Sequence, residues 1–276
     1  ECQQGRTKYA GMKGRAQQIA PGQNHSKLLK AKMNKITMSG DEALTHLILN
    51  PNPHTSAVLN SKANTTEDVI GTTTYDLQSN AAVQNRIVVH ADGTISAGWT
   101  MSQQYNTTYA DRGTGYNFFD GTSWGAQPTT RLEYSRGGWP SIIALGNGGE
   151  CAITHNTDNS LINNTSRANI GSGSWTENTV TPDYLIWNRS ASGGLDGNTI
   201  HMIGVTASAA FGGIPFNGLD GALVYYRSQD GGLTWDTIDV QLPGMDTSMY
   251  NGTAFNGMIG DVYAIAAQEN TVVVAY

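Results

Sequence analysis

The sequence predicts an all-β fold, and three observations support this prediction. Glycine is frequent and proline is rare, with 33 and 8 residues, and charged residues make up only 14% of the chain. From Val69 onward, short apolar runs alternate with turn-forming residues, which is the pattern of strands joined by turns. Turns that end in tryptophan recur at Trp124, Trp175 and Trp235, about 50 to 60 residues apart. Repeats of this length are typical of β-propeller blades.

Residues 1–66 differ from the rest of the chain. Half of the 16 lysine and arginine residues lie in the first 35 positions, and the only aromatic residue of the segment is Tyr9. Ser26 is expected to cap a short helix that ends near Met33, and the prolines of 50–54 interrupt regular structure. The sequence therefore predicts a basic, irregular N-terminal arm over 1–66 and a β domain over 67–276.

The β domain divides into units that each begin with an apolar strand. The first strands of the units are expected at 85–90, 139–145, 184–187 and 260–267. Their second strands are expected at 95–99, 151–155, 199–205 and 271–276. This order predicts about three and a half blades of four antiparallel strands. Since a closed ring needs about four to eight blades, we expect a six- or seven-bladed ring that further residues of the same chain, or another chain, complete.

The turn at 228–235 reads Ser-Gln-Asp-Gly-Gly-Leu-Thr-Trp. Its glycines accept positive φ, the aspartate can bind backbone N–H groups, and the tryptophan can fix the turn to the blade. The stretch resembles the Asp-box of sialidase-like (BNR) β-propellers, with all five fixed positions filled by Ser228, Asp230, Gly232, Thr234 and Trp235. The resemblance implies a structural turn on the rim of a blade. The turns ending at Trp124 and Trp175 are degenerate copies of it.

A broader resemblance covers about 70–276. The stretches 111–116 and 137–140 are similar to propeller domains of exported bacterial surface proteins, including some that are carried by type IX secretion. The resemblance implies a protein that works outside the cell or on its surface. The sequence contains no apolar run of about 18 residues, so no transmembrane segment is predicted. Residues 1–5 lack the apolar core of a signal peptide, so either the protein is not exported or the sequence begins after processing.

Propellers bind ligands near the central channel, and the resemblance to sialidases implies what such a site would contain. Arginines from several blades would bind a carboxylate in bidentate pairs, and an aspartate would act as acid and base. The candidate catalytic residues are Asp111, Arg86, Arg131 and Arg189. The candidate ligand-binding residues are Arg112, Tyr116, Arg136, Trp139 and Asp261, with 111–116 interpreted as a loop.

The sequence departs from the sialidase pattern in two places. Arg86-Ile87-Val88 lacks the proline of the family's Arg-Ile-Pro motif. Glu133 and Tyr134 are adjacent, so on a strand they would point to opposite faces and could not form the family's Tyr–Glu pair. The preferred function is therefore a binding or structural module for glycan or protein ligands. The alternative is an exo-acting glycoside hydrolase of sialidase type.

Composition and motifs also indicate which kinds of ligand and cofactor the protein is not expected to bind. The formal net charge is −6 and the last lysine is Lys62, so the acidic body is expected to repel nucleic acids. No zinc spacing, calcium loop or phosphate loop occurs in the sequence, and no metal or cofactor is predicted. Cys2 and Cys151 leave a disulfide, an acylated Cys2 and a buried Cys151 thiol open as alternatives. We expect the histidines at 90, 155 and 201 to be packed or surface residues.

Overall fold

The computed structural model describes residues 67–78, 85–158, 161–180, 184–246, 249–250, 253–254, 256–258 and 262–276. All of them belong to one unit, Glu67–Tyr276. The predicted basic arm, with its helix and Cys2, lies outside the described residues, and so does Asp261. Within the described ranges, we find no helix with the length and apolar character needed to cross a membrane.

The described residues form strands joined by turns and loops. The strands are β1 Ile87–Val89, β2 Ile95–Met101, β3 Gly113–Phe119, β4 Ser141–Ala144, β5 Glu150–Asn156, β6 Leu161–Arg167, β7 Thr176–Val180, β8 Leu185–Gly193, β9 Thr199–Thr206, β10 Leu223–Ser228, β11 Thr237–Gln241, β12 Met249–Tyr250, β13 Thr253–Ala254, β14 Ala264–Gln268 and β15 Thr271–Ala275. A 3-10 helix, Ala209–Phe211, lies between β9 and β10.

The strands pair as successive antiparallel sheets, which are the blades of a partial β-propeller. Blade 1 is β1-β2-β3, blade 2 is β4-β5-β6-β7, blade 3 is β8-β9-β10-β11, and β14-β15 is a half blade. The first strands of neighbouring blades contact each other in the order β1, β4, β8 and β14. This confirms the predicted fold class. The number of blades in the complete ring stays a prediction.

Blade 1 has an irregular segment where a fourth strand was expected. Residues 125–132 run beside β3, with hydrogen bonds from Gly125 N to Phe118 O (2.9 Å) and from Leu132 N to Thr114 O (3.0 Å). The structure also corrects the interpretation of 111–116 as a loop, because β3 begins at Gly113. Gly113 and Gly115 interrupt the side-chain pattern by which a strand is predicted from the sequence. Both glycines are needed, because an added Cβ would lie 2.5 Å from the Arg131 side chain at Gly113 and 2.5 Å from the Trp99 ring at Gly115.

The core lies between blades 2 and 3. All seven residues of β5 are buried, because a second strand is covered by the adjacent blade on each face. Ile153 of β5 and Ile200, Met202 and Ile203 of β9 are fully buried and belong to one apolar cluster. Continuous apolar runs in strands covered on both faces are expected for this arrangement.

The three tryptophan turns occupy equivalent places, after the third strand of each blade. Each indole contacts an aromatic ring of a third strand: Trp124 with Phe119 at 5.5 Å, Trp175 with Tyr116 at 5.2 Å and Trp235 with Tyr226 at 6.4 Å between centroids. Edge-on and tilted contacts at these distances are favourable for aromatic pairs. Trp124 and Trp235 thus pack on the third strand of their own blade, whereas Trp175 packs on the third strand of the preceding blade.

The turn at 228–235 is held by the side chains that its sequence pattern singles out. Ser228 Oγ donates to Asp230 Oδ1 (2.8 Å) and accepts from Gly232 N (2.8 Å). Asp230 also accepts from Thr234 N (2.9 Å) and Thr234 Oγ1 (2.6 Å). Gly232 has a φ of 90°, and a Cβ there would lie 2.1 Å from Asn164 of blade 2. The glycine is thus required both by its backbone conformation and by the close approach of the neighbouring blade.

We expect Asp230→Ala to lower the free energy of unfolding by about 1 kcal/mol at pH 7, since an exposed carboxylate loses its turn hydrogen bonds. Partial burial raises the pKa of Asp230, but hydrogen bonds from Thr234 and Ser228 outweigh it and leave the pKa below its usual value. A lowered folded-state pKa stabilises above the unfolded pKa of about 3.9. The difference between wild type and variant in urea unfolding should therefore shrink as the pH falls below about 4. Leu233→Ala, which truncates a 75% exposed side chain, should show neither effect.

Candidate functional site

The two ends of the propeller have different structures. At the turn end, the β1–β2, β4–β5 and β8–β9 turns lie beside the tryptophan turns, and backbone hydrogen bonds join neighbouring blades, from Gly146 N to Gly197 O (3.1 Å) and from Gly194 N to Glu269 O (2.7 Å). At the loop end, longer connections follow the second strands of blades 1 and 3, at 102–112 and at 207–222. Loops of this kind are where binding residues are usually presented on a rigid scaffold.

A cleft of about 440 Å³ opens at the loop end of blade 1. It lies between the loop 102–112 and the segment 129–134. Its lining residues are Met101, Gln104, Ala110, Asp111, Thr129, Thr130, Arg131, Glu133 and Tyr134. We call it the Asp111 cleft. It contains two of the four candidate catalytic residues, Asp111 and Arg131.

Asp111 is held as an anion by its own loop. Its carboxylate accepts hydrogen bonds from Ser102 Oγ and from Gln103 N, the latter at 2.7 Å. Partial burial raises the pKa of this carboxyl group, but the hydrogen bonds outweigh burial and leave the pKa below its usual value. Asp111 is therefore ionised at neutral pH.

The guanidinium of Arg131 binds backbone carbonyl groups. Its Nε donates to Glu133 O (3.0 Å), its Nη1 to Ala110 O (2.9 Å), and its Nη2 to Tyr134 O. These bonds join the two walls of the cleft, the 102–112 loop and the 129–134 segment. The geometry gives Arg131 a scaffolding role in the cleft.

Glu133 and Tyr134 have opposite exposures, although they lie on an irregular segment and not on a strand. Glu133 is 4% exposed and its carboxylate accepts hydrogen bonds from Thr114 N (2.8 Å) and Thr114 Oγ1. Burial, partly countered by these bonds, raises the pKa of Glu133. Tyr134 is 82% exposed, and Glu177 accepts a hydrogen bond from its backbone N–H. The sequence gives no signal that Glu133 is buried.

Arg86 and Arg189 lie outside the Asp111 cleft. Arg86 donates to Gln78 O and lines a different cavity, of about 420 Å³, with Trp99 and Ile87. Burial and the nearby charge of Arg189 lower the pKa of Arg86 to about 10. Arg189 is 2% exposed in β8 and lies 5.6 Å from the centroid of the Tyr263 ring. The four candidate catalytic residues thus form two separate pairs. Arg86 lies near Arg189, and Asp111 lies near Arg131.

Arg112 and Trp139 are packed together between blades. The Arg112 guanidinium lies 4.8 Å from the Tyr75 ring centroid and 4.7 Å from that of Trp139. Its Nε donates to Gly137 O (2.8 Å) and its Nη1 to Tyr75 Oη (3.1 Å). Trp139 stacks on His155 at 5.7 Å. These two candidate ligand-binding residues are 5% and 8% exposed, and their contacts stabilise the interface of blades 1 and 2.

Tyr116 belongs to a buried network between the same two blades. Its hydroxyl donates to Glu150 Oε1 (2.9 Å) and accepts from Arg167 Nη2 (2.8 Å). Glu150 also forms an ion pair with Arg167 at 2.6 Å, with both side chains buried, and accepts from Ser96 Oγ (2.7 Å) and Gly171 N (2.8 Å). Burial and the Glu150 charge raise the pKa of Tyr116. The sequence gives no signal that Glu150 and Arg167 form this network.

Arg136 joins the loop 102–112 to blade 2. It donates to Tyr109 O (2.9 Å), Thr108 O (2.7 Å) and Thr157 Oγ1 (2.8 Å). It also lies 3.8 Å from Asp158. Asp261, the remaining candidate, is outside the described residues.

The buried histidines and the cysteine are packed as the sequence suggests. His155 is 7% exposed, and burial, together with Arg112 and Arg136, lowers its pKa to about 3. His201 stacks on Tyr225 at 6.0 Å. Cys151 is buried and free, and burial raises the pKa of its thiol. The described part of the chain contains no cluster of three or more potential metal ligands.

No family model and no curated protein matches the chain. Among solved structures, it is similar to a mutant of the NanB sialidase from Streptococcus pneumoniae, with 12% identity and a TM-score of 0.36 over 55% of this chain and 21% of that one. It is also similar to a protein from Bacteroides thetaiotaomicron VPI-5482 that is proposed to be a glycosidase, with 9% identity and a TM-score of 0.38 over 69% of this chain and 59% of that one. The chain therefore spans less than two thirds of the length of either protein.

Proposed function

We propose that the protein is a binding module whose Asp111 cleft recognises a neutral glycan outside the cell or at its surface. The observation that supports this function best is the pairing, in one cleft, of the ionised Asp111 with the exposed ring of Tyr134. Carboxylates accept hydrogen bonds from sugar hydroxyl groups, and an exposed ring offers an apolar face to sugar C–H groups. The second possible ligand of the cleft is a protein.

The charges of the cleft favour a neutral ligand. An ionised carboxylate accepts about four hydrogen bonds, so Asp111 retains acceptor capacity beyond its bonds to Ser102 and Gln103. The Arg131 guanidinium is directed at four backbone carbonyl groups. A ligand carboxylate would therefore meet the Asp111 anion without the bidentate arginine contacts that would compensate it. This arrangement disfavours sialic acids and favours uncharged sugars.

Hydrogen bonds fix the backbone of both walls of the Asp111 cleft. Arg131 fixes the backbone on both sides, and Glu177 fixes the N–H group of Tyr134. A ring held on a fixed backbone loses little conformational freedom when a ligand binds, which raises affinity. The tyrosine side chain itself has few rotatable bonds, which adds to this advantage.

Tyr134→Ala is expected to weaken binding of the best ligand on an array of neutral glycans by about tenfold, equivalent to about 1.4 kcal/mol of lost ring contact. Titration calorimetry with that ligand measures the change. Because the ring is 82% exposed, the free energy of unfolding should stay within about 0.5 kcal/mol of wild type. Leu233→Ala at the turn end, with a 75% exposed side chain, is the control and should bind as wild type does.

Two outcomes would contradict this proposal. One is an array without bound glycans, and the other is a ligand whose affinity is the same in wild type and Tyr134→Ala. The alternative, an exo-acting glycoside hydrolase, is favoured by one observation: the pKa of Glu133 is raised and that of Asp111 is lowered in a single cleft, as in acid and base pairs of glycosidases. Turnover of fluorogenic sialosides or neutral glycosides that Asp111→Asn abolishes would establish the hydrolase instead.

A further inference from the structure

A second aromatic surface lies at the loop end of blade 3, on residues that do not line the Asp111 cleft. It consists of Trp187 in β8 and of Phe211 and Ile214 in the 207–222 loop, and we call it the Trp187 corner. The rings of Trp187 and Phe211 are 5.6 Å apart with an interplanar angle of 80°. Phe211 is 53% exposed and Ile214 is 77% exposed. Phe211 thus presents an exposed ring at nearly a right angle to the indole of Trp187, which is half-buried and also packs against the apolar core, and Ile214 adds an exposed aliphatic side chain in the same loop.

A β-bulge in the first strand of the blade positions Trp187. Pairing with β9 shifts between Ile186 and Arg189, and Trp187 has a φ of 52°. A large residue in this conformation is strained and persists only where its surroundings hold it. Asn188, which is fully buried, donates to Ile153 O (2.8 Å) of blade 2, and Tyr263 Oη donates to the carbonyl group of Trp187. Bulges of this kind redirect side chains and occur next to binding sites.

The loop that carries Phe211 is held by several hydrogen bonds. Asp220 Oδ1 accepts from Ala209 N (2.7 Å) at the start of the 3-10 helix. Gly212 N donates to Ala209 O (3.2 Å) and Gly213 N to Ser208 O (3.0 Å) at its end. An exposed aromatic ring on such a tied loop has the properties of a binding anchor.

The charges around the corner disfavour an anionic ligand, because Arg189, the basic residue nearest to Trp187 in the sequence, is buried in β8. After Arg189 the sequence contains a single basic residue, Arg227, which forms an ion pair with Asp236 beside the tryptophan turn at the other end of the blade. Asp220 lies in the loop of the corner, and Asp239 lines a cavity with Ile214 and Tyr184. Nucleic acids and acidic polysaccharides would therefore be repelled.

A protein partner fits the corner poorly because specific protein interfaces bury about 1,200–2,000 Å². Two aromatic side chains and one aliphatic side chain supply only a fraction of that area. Two rigid ring planes in an uncharged or acidic setting match a single sugar ring, whose C–H groups can pack on one ring while its edge meets the other. The corner repeats the chemistry of Tyr134 in the Asp111 cleft.

We infer that the Trp187 corner is a second glycan subsite, which takes a pyranose ring of a neutral oligosaccharide by stacking on Phe211 and Trp187. The inference extends the proposed glycan recognition to a second place on the loop end, and it rests on that proposal. Trp187 provides a spectroscopic signal, because a sugar stacked on its indole changes the tryptophan fluorescence.

The test uses the Tyr134→Ala protein, in which binding at the Asp111 cleft is weakened. Neutral gluco-, manno- and galacto-hexaoses are titrated against it by calorimetry and by tryptophan fluorescence. We expect saturable binding of at least one hexaose, about tenfold weaker after a second change, Phe211→Ala. Leu195→Ala is the matched control, since this side chain is 80% exposed at the turn end of the same blade; it should leave binding unchanged. In Trp187→Phe the fluorescence response should disappear.

The inference is overturned if no hexaose binds the Tyr134→Ala protein while wild type binds one, and in that case the Asp111 cleft alone recognises the glycan. It is also overturned if Phe211→Ala leaves the affinity unchanged, or if the corner binds only apolar peptides. If wild type binds no neutral glycan in any format, the proposed function and the second subsite both fail.

Discussion

Glu150→Ala is expected to lower the free energy of unfolding by about 3–5 kcal/mol, because it leaves the buried charge of Arg167 without its partner. The Glu150 carboxylate is fully buried and accepts hydrogen bonds from Ser96, Tyr116, Arg167 and Gly171. The first two belong to blade 1 and the others to blade 2, so one side chain joins the two sheets. The loss corresponds to a fall in Tm of roughly 10 °C.

Urea unfolding followed by fluorescence measures this change. Glu150→Gln keeps the shape and part of the hydrogen bonding, so its loss should be smaller than that of Glu150→Ala. Asp236→Ala is the matched control, because it breaks the Arg227–Asp236 ion pair, whose side chains are 38% and 34% exposed; it should cost at most about 1 kcal/mol. Equal losses in Glu150→Ala and Asp236→Ala would contradict the assignment of Glu150 as the main polar contact between blades 1 and 2.

Arg112→Ala is expected to lower the free energy of unfolding by about 3 kcal/mol, the combined effect of two desolvated cation–π contacts and a charged hydrogen bond. The guanidinium lies between the rings of Tyr75 and Trp139 and donates to Gly137 O. Arg112→Lys should recover less than half of the loss, because an ammonium group cannot stack flat on two rings while it donates in plane. The near-ultraviolet circular dichroism of Trp139 should weaken in both variants.

Arg227→Ala is the control for Arg112→Ala, since it removes an arginine whose side chain is 38% exposed. The same experiment separates a structural from a ligand-binding role. An Arg112→Ala protein that is as stable as wild type but has lost its glycan affinity would return Arg112 to the ligand site that the sequence suggested. Lost stability with retained affinity for the glycan supports the contacts described here.

The strands that could be predicted from the sequence are those with an uninterrupted apolar pattern. The runs around Ile143, Ile153 and Ile203 were predicted as strands for this reason, and the structure confirms them. β6 and β7 gave no such signal. In β6, Asn163 and Asn164 are buried although polar, because their amide groups bond to neighbouring elements, as from Asn164 Nδ2 to Gly232 O at 3.1 Å.

The candidate site was predictable only in part. Asp111 and Arg131 share a cleft because both lie in connections at the loop end of blade 1. The sequence could not separate an arginine that meets a ligand from one that meets a carbonyl group or a ring, and Arg112 and Arg136 proved to make internal contacts. The pairing of Phe211 with Trp187 has no signal in the sequence, because a bulge and a short 3-10 helix bring the two rings together without a periodic pattern.

The close approach of blades at the turn end limits where this molecule can change. A Cβ on Gly146 would lie 1.7 Å from Asp196 O in the next blade, so even a methyl group cannot be placed there without separating two sheets. Longer connections lie at the opposite end, at 102–112 in blade 1 and at 207–222 in blade 3. We therefore expect related sequences to vary mainly at the loop end. New binding specificities should arise in the connections at 102–112 and 207–222, while the glycine-rich turns at the other end stay nearly constant.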